Sequence, residues 1–358
     1  MPSLKEIKGR INSISSTLAI TSAMKMVAAA KLQKAQMAIQ NMLPYERRLH
    51  SMLIDLMGAM NISAAASEDG SVRGSGSAER GFAQSGDRLS LSNRHDLAGM
   101  DGAYSLMAQR EVRKVAIVAF ASNSSLCGAF NSNVIREATA VINEYRASGL
   151  RDSDIVVYSV GRKMAEAMRK LGFPSPADFT KMSDSPSYEA ASALAQELLD
   201  GFVSGRFDKV ELVYNHYKST SSQPTTRQTY LPLSLADATA DIQVGKITDS
   251  ASESDTNRGA EPVGAPVVRQ GSPTTEDLIV EPSKEELIVT LLPKVVRLRV
   301  FTTLLDSTAA EQAARTVAMQ LATDNGNDLL QELTLEYNKG RQQKITSEIL
   351  DIVGGSMQ

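Results

Sequence analysis

Hydrophobic positions at the two ends of the chain recur with one period, and those in the middle with another. In residues 4–61 apolar or small residues fall at Ile7, Ile11, Ile14, Leu18, Thr21, Ala28, Leu32, Ala35, Ile39 and Met42. The steps alternate four and three, a 3.5-residue repeat that predicts a left-handed coiled-coil seam. Lys25 is the one charged residue standing on that seam. Fully helical, the segment spans about 87 Å, while a 100-residue domain has a radius of gyration of about 13 Å, so the helix must project. Pro44 is expected to kink or interrupt it. A second seam runs through Leu291, Val295, Leu298, Thr302, Leu305, Ala309, Gln312, Thr316, Met319, Thr323, Leu330, Leu333 and Tyr337. Past Pro293 that helix reaches about 90 Å. Matching lengths at opposite ends of one chain predict an antiparallel pair.

The middle, 111–234, reads differently. Val115–Phe120 (VAIVAF), Ile155–Val160 (IVVYSV) and Val210–Tyr214 are short apolar runs that predict buried strands, and Thr225–Leu231 offers a fourth. Helical patterns cover 131–146, 162–171 and Tyr188–Phe202. Strands alternating with helices predict a Rossmann-like α/β domain with a mostly parallel sheet. Two stretches fit neither period. Residues 62–110 carry seven Gly and nine Ser, and residues 235–275 carry a net charge of −3. Both read as loosely attached insertions. The domains expected are therefore an N-terminal coiled-coil helix (1–61), an insertion (62–110), an α/β domain (111–234), an acidic insertion (235–275) and a C-terminal coiled-coil helix (276–358).

The coiled-coil seam is unusually polar. Thr302, Gln312, Thr316 and Thr323 stand where a strong zipper places Leu. Gly326 and Gly340 each cost about 1 kcal/mol against Ala within a helix. Either the pair is a weak coiled coil in its own right, or it is buried inside another protein.

Composition narrows the function classes. The 358 residues hold 38 basic and 41 acidic side chains, without the basic excess of a nucleic-acid binder. A single cysteine, Cys127, excludes an internal disulfide framework and a cysteine zinc site. No apolar run reaches the 18–20 or so residues of a membrane span, and MPSLKEIKGR has no secretory h-region. There is no Trp, and aromatics make up 5%. Charge does separate locally: residues 1–61 hold eight basic and three acidic residues, which suits an acidic partner surface.

Candidate chemistry is thin. The loop after the first strand, Ser122 to Asn131, contains only Gly128 and no following Lys, so it lacks the glycines and lysine of a phosphate-binding loop. Its alternative is a tight turn that Gly128 permits. Cys127 with His216 as a nucleophile pair finds no support in spacing, and a small buried residue is the simpler reading. His50 and His95 are scattered and suggest no metal site. Glu332, Glu336, Glu348 and Asp351 read as solvated helix faces. No catalytic constellation, cofactor site or metal site is expected.

The run IKGRINSISSTLAITSAMKMVAAAKLQKAQ (7–36) resembles the start of the γ subunit of F-type ATP synthases. EQAARTVAMQLATDNGNDLLQELTLEYNKGRQQKITSEILDIVGG (311–355) resembles its end more closely still, and SSLCGAFN (124–131) resembles its turn after the first strand. The resemblance implies a central rotor shaft without an active site. Its end helices enter a ring of α and β subunits, while its α/β foot meets the ε subunit and the membrane ring of c subunits. It also implies a location on the cytoplasmic face of a bacterial inner membrane, as a peripheral subunit. By resemblance, the contact to β falls on Met24, Lys25, Arg315, Gln342, Thr346 and Glu348, with Leu126, Cys127 and Gly128 forming the foot turn. Ala19 and Ser22 stand where many relatives carry lysine, and Asn123-Ser124 replaces a more usual Asp-Arg. The competing reading is a stand-alone coiled-coil scaffold with an α/β domain. The resemblance is silent on the two insertions, which would lie on the foot and limit rotation in the hydrolysis direction.

Overall fold

The computed structural model describes residues 3–59, 106–233, 281 and 283–356. The remaining residues, with most of both insertions, lie outside the described residues. Helix α1 spans Leu4–Ala59 and the last helix, α6, spans Lys284–Ser356. Between them run β1 (Val115–Phe120), α2 (Phe130–Ala147), β2 (Ile155–Val160), α3 (Arg162–Lys170), α4 (Thr180–Asp184), α5 (Tyr188–Val203), β3 (Lys209–Asn215) and β4 (Thr225–Leu231).

The sheet order is β2-β1-β3-β4. β1 pairs in parallel with β2 and with β3, and β4 closes the edge antiparallel to β3. All six β1 side chains are buried, because both faces of the sheet are covered. Val115, Ile117 and Ala119 face α2 and α3, meeting Val134, Ala138, Val141, Met164 and Met168. Ala116, Val118 and Phe120 face the other way, onto α5 and the two end helices. The α2 stripe Phe130, Val134, Ala138, Val141, Ile142 and Tyr145 follows helical spacing, so one face suffices for burial.

The shaft is rooted in this second face. Ile288, Leu292, Val296, Val300 and Leu304 of α6 join Leu49, Leu53 and Leu56 of α1 in the same core as Leu198 and Phe202 of α5. Tyr188 and Phe301 meet edge to face at 5.7 Å between ring centroids. Leu106, from the end of the first insertion, is buried in that core, and its carbonyl accepts from Leu233 N at 2.9 Å.

Above the foot, α1 and α6 run antiparallel. Each position read from the N-terminal repeat is buried or half-buried, from Ile7 to Met42. Helix α1 runs on through Pro44, so the break that proline could impose does not occur. Proline there removes one hydrogen bond, on the exposed side, while Met42 and Leu49 hold the turns on either side. Pro293 likewise lies inside α6, between buried Leu292 and Val295. The seam glycines have a packing purpose. A Cβ on Gly326 would stand 2.6 Å from Leu18 Cδ2, and one on Gly340 would stand 3.1 Å from Leu4 Cδ2. Each glycine therefore admits a leucine from the facing helix.

Candidate functional site: the shaft surface and its joint with the foot

The residues that the resemblance singles out fall on three levels of the shaft. At the top, Gln342, Thr346 and Glu348 are exposed. Leu4, at the start of α1, lies opposite Gly340, and residues 341–350 of α6 are exposed throughout. The Thr346 hydroxyl bonds back to Gln342 O at 2.9 Å, and Glu348 pairs loosely with Lys344 at 3.7 Å. These side chains stand on a single helix, ready to be touched.

Met24 and Lys25 sit lower, level with Gln320. Twenty-two residues of helix separate Gln320 from Gln342, about 33 Å, so the structure does not gather Met24 with the tip residues. Both are half-buried. Lys25 Nζ donates to Gln320 Oε1 at 2.6 Å, and Gln320 Nε2 in turn donates to Asp324 at 2.8 Å. About one turn further up the pair, Thr323 donates to Thr21 at 3.1 Å. The charged break in the seam is thus a cross-helix tie. A polar pair at one level of a coiled coil favours one register.

The lowest level is the joint. Arg315 is only 8% exposed. Its Nη1 donates to Ser125 O at 2.6 Å, and its Nη2 donates to Ser124 Oγ at 2.8 Å and Glu311 Oε1 at 2.7 Å. Burial pushes the Glu311 carboxyl up, and the Arg315 charge offsets that only in part. The structure therefore brings Arg315 together with the Leu126-Cys127-Gly128 turn, one residue along from its contacts. Cys127 is buried, while Leu126 stands 59% exposed with φ +68. Gly128 has φ +58 and lies close to Ala318 of the shaft. A leucine in the left-handed region persists only where its surroundings over-determine it. Here Asn131 supplies that constraint, accepting from Ser122 N at 3.0 Å and donating to Ser124 O at 3.3 Å. On the far side Arg162 N donates to Asn123 Oδ1 at 2.8 Å. Gly161 makes this approach possible, because a Cβ there would lie 2.0 Å from Ala121 O.

A second tie stands beside the first. Asp306 of α6 accepts from Tyr217 N at 2.8 Å and pairs with His216 Nδ1 at 2.6 Å. The carboxylate holds the His216 pKa above its ordinary value, against the pull of burial and of Lys218. Gln36 of α1 donates to the Tyr217 hydroxyl at 2.6 Å. Asp306, His216 and Tyr217 were not legible as a set, because their contacts join segments about 90 to 180 residues apart. Among the described residues no group of three His, Cys, Asp or Glu could hold a metal. Among them, too, no helix is long and apolar enough to cross a membrane.

The sequence family described as ATP synthase matches residues 3–357. A protein of Phocaeicola vulgatus called ATP synthase gamma chain is 46% identical over 357 residues, covering all of both chains. The chain belongs to the ATP synthase family, among the gamma chains. A gamma chain of Bacteroides thetaiotaomicron is 45% identical over the full length of both, and one of Flavobacterium johnsoniae is 36% identical over 99% of this chain and 98% of its own. The fold is similar to a chain in the Euglena gracilis mitochondrial ATP synthase, in an assembly of OSCP, F1 and c-ring. That match has 18% identity and a TM-score of 0.52, and covers 99% of this chain and 93% of the other.

Proposed function

We propose that this chain is the rotating central shaft of an ATP synthase. It passes torque between the proton-driven ring of c subunits and the catalytic β subunits of the α/β ring, with the ε subunit beside the foot. It has no catalytic site of its own and acts as a non-catalytic subunit. As a peripheral subunit it works at the cytoplasmic face of a bacterial inner membrane.

One observation carries this reading. From residue 316 to 356 α6 continues for about 60 Å beyond the joint, and its upper half keeps large apolar side chains in the open. Leu321, Leu329, Leu335, Ile345, Ile349 and Leu350 are exposed. Exposed apolar side chains along a helix of this length suit a surface that another protein covers. A shaft must also turn inside its cover. Polar and small side chains, such as Gln342, Thr346 and Ser347, make contacts that are repeatedly broken at little cost. Torque then passes through the few contacts that differ in energy between β states, since only a differential interaction shifts an equilibrium. We place those contacts at the tip, on Gln342, Thr346 and Glu348, with Met24 and Lys25 as a lower level.

Co-expression with α and β subunits tests the reading. A complex should form, and ATP hydrolysis should exceed that of α and β alone. Removal of residues 341–358 should leave assembly intact and weaken coupling. Failure to assemble, with no gain in hydrolysis, leaves the stand-alone scaffold as the better description.

A further inference from the structure

We propose that Arg315 is a torsional brace between shaft and foot, acting within the chain rather than on the surrounding ring. The inference rests on the rotor reading and adds a load-bearing part to it.

The geometry joins two bodies. The turn at Ser124–Ser125 belongs to the foot, fixed by Asn131 of α2 and Arg162 of α3. Arg315 belongs to the shaft and reaches that turn with both terminal nitrogens. Glu311, one helical turn below, orients the guanidinium. Only 10% of each of the two side chains is exposed, so water hardly competes for these bonds. Asp306, bonded to His216 and Tyr217, repeats the arrangement a few turns lower, and Gln36 ties α1 to the same tyrosine. All these ties sit at the rim where the shaft leaves the foot.

Mechanics explains why polar ties belong there. Below the rim, α6 is held mainly by apolar packing, which is strong but non-directional, with single polar ties from Arg297 to Gln196 Oε1 at 2.6 Å and from the Tyr230 hydroxyl to Val296 O at 3.0 Å. Such a core resists a torque about the helix axis through shape alone, since close-packed side chains transmit strain without fixing a direction. Directional, charge-assisted bonds at the end of a long side chain act at the largest radius from that axis. A guanidinium on two separate acceptors resists both senses of twist.

The test uses the whole enzyme carrying Arg315→Gln, compared with the same enzyme stripped of its membrane sector. In the stripped enzyme nothing loads the foot, and hydrolysis should match that of the wild type. In membranes, ATP-driven proton pumping and proton-driven ATP synthesis should fall several-fold per assembled complex. Arg315→Lys, which keeps the charge on Glu311 and one acceptor, should recover most of that loss. Ser124→Ala removes a single acceptor without unpairing a charge, so it keeps the test alive if Arg315→Gln does not assemble. It should give a smaller loss of the same kind. An equal loss of hydrolysis with and without the membrane sector would mean that Arg315 contacts the ring, and the brace would be wrong. Wild-type synthesis in both Arg315→Gln and Ser124→Ala would also overturn it. The rotor reading stands apart from these outcomes, because it is judged on the wild-type chain, by its assembly with α and β and its support of coupled synthesis.

Discussion

The lower and upper reaches of α6 are one helix in two environments. From Ile288 to Arg315 it is buried on nearly every side, with Leu292, Val300, Ala309, Ala310 and Ala313 inaccessible to solvent. From Leu321 to Val353, Leu333 alone is buried among the described residues. A helix that is apolar all round belongs in a core, and one that leaves large apolar side chains in the open needs cover from elsewhere. The lower part reads LIVTLLPKVVRLRVFTTLL and the upper part EYNKGRQQKITSE. The difference separates the two tasks of the chain. Folding energy is concentrated where the shaft is rooted, and the functional surface is left for another protein to cover.

The strongest test of that contrast is a charge placed in each half. Val300→Asp should unfold the foot, at a cost of about 4 kcal/mol or more, because the new carboxylate has no partner in the core. Leu335→Asp, at a site 65% exposed, should shift stability by no more than about 0.5 kcal/mol. Thermal unfolding of the isolated chain measures both, and similar costs would erase the distinction.

A middle-sized effect sharpens the account of the seam. Gly326→Val forces its side chain onto Leu18 and should destabilise the pair by about 1–3 kcal/mol. Adding Leu18→Ala should restore most of the loss, and simple additivity of the two changes would contradict the interlocking.

The smallest effect concerns pH at the joint. His216 is raised by Asp306, so its contribution is present below the ordinary histidine value and disappears as pH rises through the folded value. The pair is half-exposed, which limits the effect to at most about 1 kcal/mol. Denaturation midpoints measured on either side of that window should differ in the wild type, and the difference should vanish in His216→Gln.

Much of this architecture was legible in the chain. Strand Ile155–Val160 lies where its apolar run places it, Thr225–Leu231 forms the fourth strand that was offered, and the 3.5-residue repeat picks out the buried face of α1. Local patterning suffices there, because burial follows period. Pro44 was read too strongly as a breaker, since packing on both sides carries the helix past it. Gly326 and Gly340 looked like defects until the facing leucines were in place. Glu211 lies inside an apolar strand, and of its partners only Lys209 is near it in the chain. Its partners Tyr145, Lys209 and Arg227 come together only when α2, β3 and β4 pack. Arg315 shows the same limit. Its bonds to Ser124 and Ser125 join segments about 190 residues apart, and no local pattern announces them.

Amide hydrogen exchange along α6, in the isolated chain and in the assembled complex with α and β subunits, tests the central claim most directly. In the isolated chain residues 288–315 should exchange slowly and residues 321–353 rapidly, and assembly should slow the upper segment by orders of magnitude while leaving the lower one unchanged. An upper segment already as protected alone as the lower one, or one unaltered by assembly, would contradict a shaft that depends on its surroundings for cover.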